Sequence, residues 1–238
     1  MILSENPRIE VFNEDCMQVM ARYPDKHFDL AIVDPPYGIG EDGSKNKTRG
    51  KLATSKDYKA FSGNDNEAPD AAYFDTIKQK SNNLIIWGAN HYLDNMPFNL
   101  STPCWIVWDK DNGASDFADS ELAWTSFKGA VRNFKWKWQG MLQQDMKNKE
   151  TRIHPTQKPV ALYKWLLKNY AKEGDLILDT HGGSGSILIA CYEMGFDIVW
   201  TELDTDYYNA AIERFKKHIA QQSLFSPEQQ YGKQAEIK

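Results

Sequence analysis

Cysteines are scarce in this chain of 238 residues, and long apolar runs are missing. The three cysteines, Cys16, Cys104 and Cys191, form no Cys-x-x-Cys pair and no Cys/His cluster. This spacing argues against a disulfide framework and a structural zinc site, and it suits a reducing compartment. No apolar stretch approaches the length of a membrane span, and the first residues do not resemble a signal peptide. We therefore expect a cytoplasmic protein with no metal and no membrane partner.

An excess of basic residues is also missing, since the formal net charge is −5. Residues 38–70 nevertheless form a polar segment that includes Lys45, Lys47 and Arg49. A charge run of this kind is usually solvated surface, yet so long a connection is uncommon unless it is functional. We interpret it as a mobile loop that contacts a polyanion.

A second basic segment interleaves its cations with aromatic residues. In FKWKW, Phe134, Trp136 and Trp138 alternate with Lys135 and Lys137. A strand would place the aromatic side chains on one face and the lysines on the other. An edge strand with a buried aromatic face and a nucleic-acid contact surface fit this pattern about equally well.

Short apolar runs alternate with helical patterns along the rest of the chain. The runs that we predict as strands are 9–13, 28–34, 82–90, 103–110, 174–180 and 196–204, and the helices are 16–23, 159–172 and 205–220. Runs without polar alternation are typical of strands covered on both faces. The order therefore predicts an open, largely parallel α/β sheet.

The second apolar run ends abruptly at Asp34-Pro35-Pro36-Tyr37. Two consecutive prolines cannot continue a sheet ladder, because neither has an N–H group to donate. The resulting rigid turn holds an acid and an aromatic ring in fixed positions. Taken alone, the turn is better interpreted as a plain, rigid strand ending.

A glycine-rich turn follows the run 174–180 and precedes a helical pattern. Gly182, Gly183 and Gly185 allow a tight turn and close approach of a ligand. Their spacing matches neither the dinucleotide fingerprint nor a phosphate-binding loop. Asp179 precedes the turn, and Glu202 ends the next predicted strand, where an acid commonly binds ribose hydroxyls. The pattern indicates a nucleoside cofactor without a pyrophosphate.

Together and in this order, these motifs resemble those of the β-class DNA amino-methyltransferases that use S-adenosylmethionine. Residues 34–37 resemble the catalytic (D/N/S)PP(Y/F) motif, and residues 154–159, HPTQKP, match a motif that faces the methionine end of the cofactor. Residues 179–186 resemble the cofactor motif DPFxGSGT, and NEDC resembles a GDC segment near the adenine. The likeness covers roughly residues 9–220 and is greatest to the adenine-N6 enzymes.

The resemblance implies a circularly permuted Rossmann-like methyltransferase fold with a seven-stranded, largely parallel sheet and helices on both faces. It implies catalytic roles for Asp34, Pro35, Pro36 and Tyr37. The cofactor-binding residues that it implies are Asp15, Cys16, Thr156, Lys158, Asp179, His181, Gly183, Ser184, Gly185 and Glu202. Within HPTQKP we favour Thr156 and Lys158, which can reach a carboxylate, over His154. We leave WGANH (87–91) out of the site, because a buried strand end explains it.

Further expectations concern DNA and the organisation of the chain. Residues 1–222 are expected to form a single methyltransferase domain, with a DNA-contacting loop at 38–70 and a target-recognition insertion at 111–150. Residues 223–238 are expected to form a polar tail. We expect DNA contacts from Lys45, Lys47, Arg49, Lys135 and Lys137. The expected partners are double-stranded DNA, a second copy of the chain and a cognate restriction enzyme, in a bacterium or a phage-infected host.

Two residues depart from the family pattern, and the activity has competing interpretations. Thr180 and His181 stand where the family commonly has Pro and Phe, so we expect altered cofactor affinity or pH response. N4-cytosine methylation uses the same geometry as N6-adenine methylation, and Asp before Pro-Pro leans towards adenine. Methylation of an RNA or amide substrate also fits the motifs, and so does a catalytically silent DNA-binding homologue. The intact Asp34 argues against the silent homologue.

Overall fold

Eleven strands and five helices lie in the part of the chain that the computed structural model describes, residues 1–39, 67–113, 118–139 and 142–223. The strands are β1 (Ile2–Glu5), β2 (Arg8–Phe12), β3 (Phe28–Val33), β4 (Ser81–Trp87), β5 (Ile106–Asp109), β6 (Ser120–Thr125), β7 (Arg132–Lys135), β8 (Trp138–Gln139), β9 (Leu142–Gln143), β10 (Leu176–Asp179) and β11 (Asp197–Thr201). The helices are α1 (Cys16–Met20), α2 (Ala71–Lys80), α3 (Val160–Tyr170), α4 (Ser186–Met194) and α5 (Thr205–Ser223). All six predicted strands and all three predicted helices are present, with shifted ends.

Nine of the described strands form one sheet in the order β1-β2-β11-β10-β3-β4-β6-β5-β7. Strands β2, β11, β10, β3 and β4 run parallel, while β6 is antiparallel to both β4 and β5. The predicted count of seven is too low, because β1 adds an antiparallel strand at one edge and β7 extends the other. The circular permutation stays an interpretation of this order.

The sheet has an apolar core on each face. Helices α3, α4 and α5 cover one face, with Trp200, Trp87 and Phe215 fully buried there. Helices α1 and α2 cover the other face, where Phe28 and Phe74 are fully buried. Since both faces are covered, the central strands lack polar alternation, as the sequence predicted.

Local sequence explains where the helices begin. Pro159 lies at the N-cap of α3, and the Asp204 carboxylate accepts hydrogen bonds from the first amides of α5. The buried face of α3 consists of Leu162, Tyr163, Leu166 and Leu167, and Val160 and Tyr170 are partly buried at its margins.

Strands β3 and β10 are neighbours at the centre of the sheet, and the chain leaves them in opposite directions. From β3 the next strand, β4, lies on one side, and from β10 the next strand, β11, lies on the other. Such a switch point opens a crevice at the carboxyl ends of the strands, where α/β proteins bind ligands.

The segment 111–150 is only partly an insertion. Residues 120–125 and 132–135 are strands of the main sheet, and β8 and β9 form a separate two-stranded hairpin. The part outside the main sheet is therefore smaller than expected, and its role in target recognition stays a prediction. Residues 40–66 and 224–238, which carry most of the predicted loop and tail, lie outside the described residues. Among the described helices, none combines the length and the apolarity of a membrane span.

Candidate active site

Three acids stand at the carboxyl edge of neighbouring strands. Asp34 follows β3, Asp179 ends β10, and Glu202 follows β11. Strands β3 and β10 pair directly, and so do β10 and β11. The topology therefore brings together residues that are far apart in sequence, as the strand pattern predicted.

The Asp34 carboxylate has a partner on each oxygen. The Tyr37 hydroxyl donates to Oδ1 at 2.8 Å, and the Lys158 ammonium donates to Oδ2. Burial raises the pKa of Asp34, although the positive charge of Lys158 opposes that rise. The two prolines thus hold the carboxylate and the phenol of one turn against each other.

The Tyr37 ring is held by residues that sequence reasoning left out. It stacks on His91 with a centroid distance of 5.0 Å and an interplanar angle of 14°. Gly88 also lies against the ring, since a Cβ built on it would lie only 2.1 Å from Tyr37 Cε1. Both residues belong to the segment WGANH. Its position at the end of a buried strand is the sequence feature that could have indicated a place in the site.

Lys158 pairs with the turn 34–37 and with Glu121. Its side chain is 2% exposed, and Nζ lies 3.0 Å from Glu121 Oε2 and 3.3 Å from the Tyr37 hydroxyl, in addition to its bond to Asp34. Burial acts to lower the pKa of Lys158, but Asp34 and Glu121 raise it above its usual value. Lys158 is thus a charged partner of the Asp34–Tyr37 turn. Its assignment to a cofactor carboxylate is not supported by these contacts.

The backbone amides of the glycine turn donate hydrogen bonds within the protein. Gly182 N–H donates to the Thr201 carbonyl at 2.8 Å, Gly183 N–H to Glu202 Oε2 at 2.7 Å, and Gly185 N–H to the Gly182 carbonyl at 2.9 Å. Amides used in this way are not available to a phosphate. The turn fits a cofactor without a pyrophosphate, as its sequence indicated.

Trp200 explains one glycine in this turn. A Cβ built on Gly182 would lie 1.8 to 2.2 Å from the indole ring of Trp200, so only glycine fits. Gly183 and Gly185 instead have positive φ angles of 50° and 67°. The turn therefore packs tightly on β11.

The two acids beside the glycine turn are both buried. Burial raises the pKa of Asp179 to about 8, and its Oδ1 accepts a hydrogen bond from His181 N–H at 3.1 Å. Burial also raises the pKa of Glu202, against the amides of Asp204 and Gly183 that donate to it. Such carboxyl groups can accept hydrogen bonds from the hydroxyls of a neutral ligand at little additional electrostatic cost.

In HPTQKP, His154 lies closer to the glycine turn than the residues that sequence reasoning preferred. Its ring atoms lie 3.8 to 3.9 Å from a Cβ built on Gly183, and its ring meets the edge of Tyr207 at 4.3 Å between centroids. Thr156 is exposed, and its hydroxyl lies 3.0 Å from His154 Nδ1. Burial lowers the pKa of His154 to about 4, so the imidazole is neutral at neutral pH.

Asp15, Cys16 and Ser184 have structural partners at the same edge. Asp15 Oδ1 caps α1 by accepting the amides of Met17 and Gln18 at 2.9 and 3.2 Å. Burial raises the pKa of the Cys16 thiol to about 12, which makes it a poor nucleophile. The Ser184 carbonyl accepts a hydrogen bond from Arg214 at 2.8 Å. Direct cofactor contacts of these residues stay predictions.

His181 is held by a short hydrogen-bond chain. The Tyr73 hydroxyl lies 2.7 Å from Thr180 Oγ1, which lies 2.9 Å from His181 Nδ1. The Tyr73 and His181 rings also meet edge to face at 5.3 Å between centroids. Burial lowers the pKa of His181 to about 4. The Thr-His departure from the family pattern thus forms an ordered, neutral imidazole.

The predicted DNA-binding residues fall into two groups. Lys45, Lys47 and Arg49 lie outside the described residues. Lys135 and Lys137 both pair with Asp111, at 2.8 and 3.2 Å. The three aromatic residues of FKWKW pack on the core: Phe134 and Trp138 are buried, and Trp136 is partly buried. The edge-strand interpretation is confirmed only for Phe134 and Lys135, which lie in β7, because Trp138 begins β8 of the separate hairpin. DNA contact by the lysines stays a prediction.

Comparison with known proteins agrees with this geometry. The model of the N6/N4 methyltransferase family, described as "DNA methylase", matches residues 123–213. A type II methyltransferase from Moraxella bovis, M2.MboI, is 24% identical over 245 residues, covering 89% of this chain and 89% of its own length.

Two solved structures share the fold. The complex of M1.HpyAVI with S-adenosylmethionine has a TM-score of 0.52 at 18% identity and covers 87% of this chain and 98% of its own. The PvuII cytosine-N4-specific DNA methyltransferase has a TM-score of 0.56 at 12% identity, covering 87% of this chain and 86% of its own. The chain is thus similar to DNA amino-methyltransferases of the N6/N4 family, and these matches do not separate N6 from N4 chemistry.

Proposed function

We propose that this chain transfers a methyl group from S-adenosylmethionine to the exocyclic N6 of a flipped adenine within a specific sequence of double-stranded DNA. The observation that carries the proposal is the placement of Asp34 and Tyr37 beside the glycine turn, on the directly paired strands β3 and β10. An acceptor for an amine and a turn suited to a nucleoside thus share one crevice.

An exocyclic amine is a weak nucleophile, because its lone pair is delocalised into the ring. Accepting hydrogen bonds from its two protons lets the nitrogen become more tetrahedral. Asp34 accepts one bond through its carboxylate, and the Pro35 carbonyl accepts the other. Positive charge develops on the nitrogen in the transition state, which a fixed carboxylate stabilises more than the ground state.

Tyr37 supports the base. Its ring is already oriented by His91 and Gly88, and its face stacks on a base extruded from the duplex. Extrusion costs a few kcal/mol, which stacking and edge contacts offset. Pro35 and Pro36 keep the ring and the carboxylate at a constant separation.

The residues at the glycine turn fit S-adenosylmethionine, which supplies a methyl group on a sulfonium. Gly182 presses against Trp200, the turn amides are used internally, and Asp179 and Glu202 are buried acids beside it. Glu202 would hold ribose hydroxyls, Asp15 would lie near the adenine, and His154, Gly183 and His181 would line the pocket. This set provides hydrogen-bond acceptors and ring surface, as a nucleoside requires.

Adenine is the proposed base because Asp, rather than Ser, precedes the two prolines. N4-cytosine is the second candidate, since the same acceptors serve that amine. The likeness to the cytosine-N4-specific PvuII enzyme shows the fold and does not favour either base. The name of the Moraxella bovis relative also leads us to propose a restriction enzyme as partner.

Incubation of the protein with duplex DNA and methyl-labelled S-adenosylmethionine tests the proposed function. We expect label on the DNA, and less on RNA of the same sequence. Absence of transfer to several genomic DNAs, together with intact cofactor binding, would instead support a DNA-binding homologue without activity.

His181→Phe is expected to change the affinity for S-adenosylmethionine several-fold. The substitution removes the imidazole that Thr180 and Tyr73 orient in the pocket, and it places an apolar ring there. Isothermal titration calorimetry measures the dissociation constant. Tyr73→Phe is the matched control, because it removes the last hydroxyl of the chain but keeps both rings, so a smaller change is expected. An unchanged dissociation constant in His181→Phe would show that the imidazole has no role in cofactor binding.

Gly88→Ala is expected to lower the rate of methyl transfer about tenfold or more, while cofactor affinity stays constant. Its Cβ would overlap the Tyr37 ring, and φ at Gly88 is +69°. Gly195→Ala controls for backbone strain, because φ there is +76° and a Cβ would meet no atom within 4 Å. The rate is measured at saturating cofactor. Equal losses in both variants would show that strain, and not the Tyr37 contact, is responsible.

A further inference from the structure

A chain of four charged side chains extends from the catalytic turn into the neighbouring strands. Asp34 is paired with Lys158, Lys158 with Glu121, and Glu121 with Lys110. Glu121 belongs to β6, and Lys110 directly follows β5. None of the sequence motifs described above includes Glu121 or Lys110.

The topology explains why these residues reach the catalytic turn. Strand β6 is antiparallel to β4, with Ala123 opposite Trp87, so the start of β6 lies at the carboxyl edge of β4. Trp108 of β5 lies opposite Glu121, and therefore the end of β5 reaches the same edge. Glu121 and Lys110 are thus brought to the site by the register of the sheet.

The Lys158 ammonium is surrounded by the catalytic turn and Glu121. An ammonium group has three N–H donors, and the three oxygens around this one are Asp34 Oδ2, Glu121 Oε2 at 3.0 Å and the Tyr37 hydroxyl at 3.3 Å. The ammonium also lies 5.4 Å from the centroid of the Trp87 ring. Glu121 is anionic in this setting: burial acts to raise its pKa, but Lys158 and Lys110 lower it to about 2.

The order of the charges matters for methyl transfer. Lys158 alone would cancel the negative charge of Asp34 close to the acceptor nitrogen. Glu121 divides the attraction of Lys158 between two carboxylates, so that Asp34, Lys158 and Glu121 together carry one negative charge. Lys110 balances that charge from the far side of Glu121. Lys110 is separated from Asp34 by Lys158 and Glu121, so the three groups nearest the amine still present a net negative charge to the positive charge that develops on it.

We infer that Glu121 is a positioning residue of the methyl transfer: by binding Lys158, it holds the ammonium in place and keeps the Asp34 carboxylate able to accept the target amine. This role rests on the proposed function and extends it to strand β6. Lys158 remains bound to Asp34 Oδ2, and the amine donates to Oδ1, where the Tyr37 hydroxyl now lies.

Glu121→Gln tests the inference, because it removes the charge and keeps the shape of the side chain. We expect kcat for methyl transfer to fall roughly ten- to a hundredfold, on the scale of a misplaced catalytic group. The dissociation constant of S-adenosylmethionine is expected to stay within about twofold of wild type. If Glu121 had only a structural role, its replacement would lower stability, and kcat would not fall selectively while cofactor affinity is retained.

Glu193→Gln is the matched control, since Glu193 is also a partly buried carboxylate paired with a lysine, Lys164, but lies on α4 away from the turn. Its kcat is expected to equal that of wild type. If Glu121→Gln does not fold, Glu121→Asp is measured instead; it keeps the charge one methylene further back. A reduced kcat with unchanged cofactor affinity supports the inference.

Two results overturn the inference, and a third separates it from the proposed function. A wild-type kcat in the Glu121 variant shows that Glu121 does not act on Asp34. Weakened cofactor binding with a normal kcat at saturation assigns Lys158 and Glu121 to the cofactor. A wild-type protein that transfers no methyl group overturns the proposed function itself, and the positioning role falls with it.

Discussion

Asp34→Ala is expected to lower methyl transfer roughly a hundred- to a thousandfold, the loss typical of removing one group that stabilises a charged transition state. The variant loses the carboxylate that we propose accepts a hydrogen bond from the target amine. Cofactor binding is expected to remain within about twofold of wild type, because the residues proposed to hold the cofactor lie on other strands and turns. Single-turnover rates with labelled cofactor and calorimetry measure the two quantities.

The fold should tolerate this change. Lys158 keeps Glu121 as an anionic partner when Asp34 is removed, so its buried ammonium is not left uncompensated. Asp34→Asn provides a second variant of nearly the same volume. Asp29→Asn is the matched control, because Asp29 lies near the other end of β3 and accepts a hydrogen bond from the Leu176 amide at 3.0 Å. We expect it to lose stability and keep its rate; a wild-type rate in Asp34→Ala would refute the assigned role.

Lys158→Met is expected to have a similarly large effect, and it tests a point on which structure and family resemblance differ. Removing one member of a buried ion pair typically costs about 3 to 5 kcal/mol of stability. In this variant no ammonium group lies between the carboxylates of Asp34 and Glu121. Since the charge of Lys158 no longer opposes the effects of burial and of Glu121, the pKa of Asp34 rises further. At neutral pH a larger fraction of Asp34 is protonated, and methyl transfer falls roughly a hundredfold.

The proposed role of Lys158 also predicts the direction in which the methyl-transfer rate of Lys158→Met changes with pH. Since the proposed active form of Asp34 is the carboxylate, the rate of Lys158→Met, expressed relative to wild type at the same pH, is expected to recover in part as pH rises. Affinity for S-adenosylmethionine is expected to be unchanged. Lys164→Met, which removes an exposed lysine of α3 paired with Glu193, is the control for lost ion pairing. A large loss of cofactor affinity in Lys158→Met would restore the role that the resemblance implied.

Much of the fold could be predicted, because its signals are local. Buried parallel strands are recognisable as short apolar runs, and each acid that follows one must lie at the carboxyl edge of the sheet. Asp34, Asp179 and Glu202 were found in this way, and the structure places them on neighbouring strands. The glycine turn was likewise defined by its own residues.

Glu121 was missed because it begins a strand and does not end one. In an antiparallel strand the first residue reaches the edge at which its parallel neighbours end. Residues 120–125 also lie in a region that was interpreted as an insertion, so no strand was predicted there. Their place in the sheet depends on pairing with β4 and β5, which a single sequence does not display.

The partners of Lys158 were beyond sequence reasoning for a different reason. Lys158 and Asp34 are separated by 124 positions, and their contact depends on the path of the chain before α3. The motif HPTQKP marks the segment but does not define the direction of each side chain. His154, which was ranked below Thr156 and Lys158, is the residue that packs on Gly183.

Analysis of the modified nucleosides tests the central claim most directly. Duplex DNA is incubated with methyl-labelled S-adenosylmethionine and the protein, digested to nucleosides and resolved by chromatography with mass spectrometry, with Asp34→Ala in parallel. We predict labelled N6-methyladenine from wild type and none from the variant; labelled N4-methylcytosine would keep the mechanism and change the base. Label on a ring carbon such as C5 of cytosine, or equal label from wild type and Asp34→Ala, would contradict an amino-methyltransferase that acts through Asp34.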